Sequence, residues 1–160
     1  LDYIFGGSAS GGTAGFLAVY NAYSRVITAT AVHDNGVAYT YTSATVRQAR
    51  GSAGNQVSVL FGLDEDAMEA SYGARFMTVA ASNAAMSAGI GHDQTTGYDN
   101  QTIGATAVGT TSLTLSSYCT FADIIGIGFH VISANEGGDG TNGNTFNVSQ
   151  NGTLFVTVRN

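Results

Sequence analysis

Short runs rich in Val, Ile, Thr and Tyr follow one another along most of this chain, cut about every ten residues by Gly, Asn or Asp. Many short strands at that spacing fold as a sandwich or a barrel. The runs fall at 17–23, 25–33, 37–42, 44–49, 56–62, 74–81, 86–91, 102–107, 111–116, 124–134, 144–149 and 153–158. In the second of them Val26, Thr28 and Thr30 share one face, and Ile27, Ala29 and Ala31 the other. Asp34-Asn35-Gly36 separates the second run from the third. Asn-Gly between β-like runs predicts a hairpin with a type I′ turn. With no proline in the chain, its 22 glycines must supply the corners. One stretch dissents: Leu63 to Tyr72 combines helix formers with early acidic residues, which predicts a short helix or a turn crossing between sheets. Gly6 to Thr13 has linker chemistry, so residues 1–15 read as a Gly/Ser-rich arm or linker and 16–160 as one domain.

Charge narrows the function. Of the 160 residues only 10% are charged, against about 25% in ordinary soluble domains, and the five basic residues are all arginine. Ser, Thr, Asn, Gln and Gly must cover the surface instead. Either much of that surface is buried against other copies, or the protein works outside the cell, where a hydroxyl-rich β surface is common. A net charge of −6 argues against nucleic acid, which requires clustered Arg or Lys. No apolar run approaches the ~20 residues that span a bilayer, so no membrane partner is expected. Cys119 is alone and cannot form an internal disulfide.

No enzyme signature stands. There is no Gly-x-Ser-x-Gly elbow, and Gly126 and Gly128 lack the third glycine and the helix of a dinucleotide fingerprint. The local run Asp64, Glu65, Asp66 and Glu69 reads as a solvated turn, because glycosidase carboxylates face each other across a cleft. His33, His92 and His130 have no His-x-His or His-x-x-x-His spacing. A metal centre would need the fold to bring them together with Asp93, Asp99 or Cys119; the plain reading is a hairpin cap, a loop residue and a strand residue. The loops 91–100 and 135–142 carry oxygen ligands of the calcium kind, yet neither matches the Asp-x-Asp-x-Asp-Gly loop. No metal and no cofactor is expected.

Eight tyrosines without a tryptophan raise sugar binding, since flat aromatic faces stack on pyranose rings while amides bond hydroxyls. Tyr39 and Tyr41 share a strand face, where sheet packing accounts for them. Tyr98 sits in a polar loop. Within ten residues that loop holds His92, Asp93, Gln94, Tyr98, Asp99 and Asn100, which makes it the first candidate for contact with a host glycan. The stretch Asn135 to Asn144 is the second.

The segments from Tyr23 to Thr30, Asp34 to Ser43, Thr45 to Arg47, Gln56 to Tyr72, Ala88 to Thr96 and Ile125 to His130 occur in a consistent order. In that order they resemble a domain common at the C-terminal ends of tailed-bacteriophage structural proteins, over residues 20 to about 135. The resemblance implies an all-β, antiparallel, jelly-roll-like sandwich with at most one short helix near 63–72. It further implies a homotrimer in a fibre, spike or head appendage of the virion, with other virion proteins as partners and no catalysis. The alternative is a carbohydrate-binding or adhesin module of a bacterial surface or secreted protein.

Overall fold

The computed structural model describes residues 2–5, 17–20, 27–34, 36–64, 66–78, 84–107, 112–147 and 152–159. The strands are β1 (Asp2–Phe5), β2 (Leu17–Tyr20), β3 (Ile27–Asp34), β4 (Tyr39–Tyr41), β5 (Arg47–Gln48), β6 (Gln56–Phe61) and β7 (Ala67–Met77). They continue as β8 (Ala84–His92), β9 (Asn100–Ala107), β10 (Thr114–Ile124), β11 (Gly128–Gly137), β12 (Asn144–Phe146) and β13 (Gly152–Arg159). β1 and β2 pair with each other, Asp2 opposite Tyr20; Gly6 to Thr13 lies outside the described residues.

The remaining strands form two antiparallel sheets packed face to face. In the first, β3 and β4 run along β13 and β12, these two lie along one edge of β7, and β10 takes the other edge. In the second, β5 and β6 share one edge of β11, β8 takes its other edge, and β9 lies beyond β8. The pairing is nested. The β3–β4 rank pairs with the last rank, β5–β6 with β11, β7 with β10, and β8 with β9. This nesting is the jelly roll, and the expected sandwich is observed.

Alternation places the core. Met68, Ala70, Tyr72, Ala74 and Phe76 of β7 point inward with Phe146, Leu154 and Val156, and meet Val57, Val59, Phe61, Met86, Ala88, Ile90, Ile132 and Ala134 of the facing sheet. Each fully buried large side chain stabilises the fold by about 1.5–3 kcal/mol.

Of the two forms expected for 63–72, the turn crossing between sheets is observed: Gly62 to Asp64 turn from β6 of one sheet toward β7 of the other, no helix is present there among the described residues, and β7 begins at Ala67. Helix propensity is a weak prior, and here it loses to a period-two pattern paired on both edges. The expected Asn35-Gly36 hairpin is not formed. The runs on its two sides do not pair with each other; β3 pairs with β13, and β4 with β12. Asn35 lies outside the described residues, while Gly36 is not among the positive-φ glycines, as a type I′ turn would require. Asp34 Oδ1 accepts the Gly36 N–H (3.1 Å) and the Arg50 Nε–H (2.7 Å), and its Oδ2 accepts from Asn147 Nδ2 (2.6 Å). β3 and β4 lie in the same sheet and do not pair with each other.

Candidate functional site

The site is built where β8 ends beside the start of β11. Ile132 pairs with His92, so His130 lies diagonally across from His92 on the same, inward face of the sheet. Beyond His92 the chain turns sharply at Asp93, which has a φ of 52°. Asp and Asn tolerate this region better than most residues. The turn is fastened to β11 at both backbone groups of Val131. Asp93 N–H donates to Val131 O (2.8 Å), and Val131 N–H donates to Asp93 Oδ1 (2.8 Å).

That leaves Asp93 Oδ2 facing the two imidazoles. It lies 2.8 Å from His130 Nδ1 and 3.2 Å from His92 Nε2, and the two nitrogens are 3.1 Å apart. Phe61 meets the His130 ring edge-on at 6.1 Å, and Phe121 flanks His92 at 6.2 Å. Burial alone would raise the Asp93 carboxyl, but the Val131 N–H and the His130 ring outweigh it and hold the group below the usual carboxylate range. The fold therefore brings together two of the three histidines and one of the named acids. His33 stays apart, exposed and bonded to Thr153 Oγ1 (3.1 Å).

The rest of the 91–100 loop is knitted to itself and to the sheet. Asp99 Oδ2 accepts the His92 N–H (2.5 Å) and the Gln94 side-chain amide (2.8 Å). Gln94 O accepts from Ser133 Oγ (2.7 Å), and Asn135 Nδ2 donates to Gly97 O (2.6 Å). Asn100 donates its amide to Thr120 O. Tyr98 lies half-buried with its hydroxyl 2.8 Å from Ser87 Oγ, and burial pushes its pKa up to about 12.

In the second candidate loop the Asp139 carboxylate accepts the Thr141, Asn142 and Ala85 N–H groups and the Asn142 amide. Burial raises its pKa, but these donors together outweigh that and hold the carboxyl far below the usual range. These donors occupy both oxygens of the Asp139 carboxylate. Tyr39 stacks on Phe146, and Arg47 lies over Tyr41 at 3.6 Å, so both tyrosines serve packing. Cys119 is buried, and that burial pushes its thiol up to about 11.

Two further surfaces were not foreseen from the sequence. Tyr118 stands 64% exposed on the outer face of the first sheet, above Gly73. Grooves of about 350 and 450 Å³ flank it, lined largely by Ser71, Ser116, Thr120, Thr153, Phe155 and Thr157. At the end of the sandwich nearest the histidines, Ile27, Ile124, Ile127 and Phe129 are 68%, 59%, 57% and 48% exposed. The registers Ile27↔Arg159, Met68↔Val158, Ala67↔Ile124 and Phe61↔Gly128 place all four at that end. Gly126 (φ 84°) and Gly128 (φ 142°) shape the connection that carries Ile127.

No protein-family model matches this chain, and no curated protein matches it either.

Proposed function

We propose that the chain is a non-catalytic assembly module, one protomer of a homotrimer in a fibre, spike or head appendage of a tailed-bacteriophage virion. The observation that carries the reading is the apolar end of the sandwich, where Ile27, Ile124, Ile127 and Phe129 are all exposed. Contiguous exposed apolar side chains mark an interaction surface. Few charges stand elsewhere to keep a lone copy soluble. The proposed occupant is another copy of the same end, where the Asp64 and Asp123 carboxylates stand beside Ile127 and Ile124; the virion setting rests on the ordered segments from Tyr23 to His130. Sedimentation at micromolar concentration should give a trimer, and Ile127→Lys should shift it toward monomer. A stable wild-type monomer would overturn the reading, and mass spectrometry of purified phage particles tests the setting.

The Tyr118 face supports a second reading, a glycan-binding module. An exposed ring among serine and threonine hydroxyls can stack on a sugar while the hydroxyls bond it. Glycan-array binding that Tyr118→Ala abolishes in a folded monomer would favour this reading over assembly.

A further inference from the structure

We infer that His92 Nε2, His130 Nδ1 and Asp93 Oδ2 form a binding site for one divalent first-row transition-metal ion. Three observations converge on it.

The first is spacing. The three atoms form a triangle with edges of 2.8, 3.1 and 3.2 Å. A metal at about 2.1 Å from each ligand separates them by about 3.4 Å if tetrahedral and about 3.0 Å on one face of an octahedron. The observed edges match the octahedral face. Two imidazoles and one carboxylate are also the ligand types that suit zinc, iron, cobalt and nickel rather than calcium or magnesium.

The second is convergence. An imidazole nitrogen without its proton presents a lone pair, and the two ring nitrogens and the carboxylate oxygen that meet here can each turn one toward the same point. One cation satisfies all three lone pairs together. His130 Nε2 has no hydrogen-bond partner and Phe61 packs edge-on against the ring, so the polar contacts that orient it lie at Nδ1.

The third is support. The left-handed turn at Asp93 aims the carboxylate back at the sheet, and the Val131 N–H fixes its other oxygen. Strain at a residue that over-determined neighbours hold in place, and a hydrogen bond orienting a ligand from behind, are both features of built sites. A facial set leaves three positions for water or for an oxygen ligand from another molecule.

The test is calorimetric titration of Zn²⁺ into EDTA-treated, dialysed protein, with Co²⁺ absorption as a second readout. One Zn²⁺ per chain is expected, with the weak visible bands of six-coordinate Co²⁺. His92→Ala, His130→Ala and Asp93→Asn should each weaken binding by at least about 10–100-fold, while His33→Ala leaves it unchanged. Circular dichroism reports folding. Should an alanine variant unfold, Asp93→Asn, which keeps an acceptor for the Val131 N–H, and His92→Gln carry the test. No binding by the folded wild type, undiminished binding in the folded variants, loss of binding in His33→Ala, or intense tetrahedral Co²⁺ bands would each overturn the assignment.

Discussion

The Tyr39 hydroxyl donates a hydrogen bond to the Glu136 carboxylate across the interior of the sandwich. Tyr39 belongs to one sheet and Glu136 to the other, and the glutamate is completely buried. Arg47 binds the other carboxylate oxygen through Nε (2.9 Å) and Nη2 (2.8 Å), and the Arg50 N–H donates to the Tyr39 oxygen (3.0 Å). This network ties the two sheets together at a point where apolar packing alone would be indifferent to register. Buried polar groups are costly unless each is satisfied.

Tyr39→Phe removes one donor from a carboxylate that cannot reach water. The expected loss of stability is about 1–3 kcal/mol, the cost of a buried group left unsatisfied. The ring still stacks on Phe146, so packing is conserved. Urea denaturation at neutral pH checks it, and an unchanged midpoint would show that the hydroxyl contributes nothing.

Glu136 also sets a pH dependence. Burial raises its pKa above the usual glutamate range, and the Tyr39 and Arg47 hydrogen bonds offset this only in part. A pKa raised on folding gives stability that is full below the unfolded value and is lost as pH rises through the folded one. The melting temperature should therefore fall as pH rises from the usual glutamate range toward the raised value. Asp139, held low by its donors, acts in a separate window: its contribution is lost as pH falls below the usual carboxylate range. Comparing wild type with Glu136→Gln isolates the first effect, because the variant should lose the upper slope and keep the acid-side one.

Gly36 matters for a reason other than turn conformation. A Cβ there would stand 2.3 Å from the Arg50 guanidinium carbon. That guanidinium cannot swing aside cheaply, being held by Asp34 (2.7 Å) and by Val37 O (2.6 Å). Gly36→Ala should displace Arg50 from the mostly buried Asp34 at a cost of about 1–3 kcal/mol. If Arg50→Ala and the double variant are equally stable, the glycine acts through Arg50 alone.

How much could be read from the sequence depended on whether a signal was local. Spacing and alternation identified the sandwich, because each strand carries its own period-two pattern. The start of β7 was misread: Ala, Met and Glu are good helix formers, and they masked the alternation of Met68, Ala70 and Tyr72 with Glu69, Ser71 and Gly73. Asp34-Asn35-Gly36 misled because the partner of β3 is β13, more than a hundred residues away. The loop from His92 to Asn100 was singled out for its density of polar groups, but local density does not reveal that most of them are bonded internally. His130 joins His92 and Asp93 only through the β8–β11 register, which no spacing rule encodes. The adjacent His92-Asp93 pair and a second histidine on a strand were the available signal. Tyr118 carried none, since exposed and buried tyrosines look alike on a strand.

Tyr98 gives a final prediction, because its loop position and its surroundings point in opposite directions. A tyrosine in an exposed polar loop would be dispensable for folding. Here the ring is half-buried, its hydroxyl bonds Ser87, and it lies close enough to Gly137 that a Cβ there would come within 3.1 Å of the hydroxyl oxygen. Tyr98→Ala removes both packing and hydrogen bond and should cost about 2–4 kcal/mol, in the range for truncating a packed aromatic. Tyr98→Phe keeps the packing and should cost only about 0.5–1.5 kcal/mol, the net worth of one hydrogen bond. Chemical denaturation of both variants measures the difference. If Tyr98→Ala is as stable as wild type, the ring is not a packing element, and the 91–100 loop regains its standing as a ligand surface.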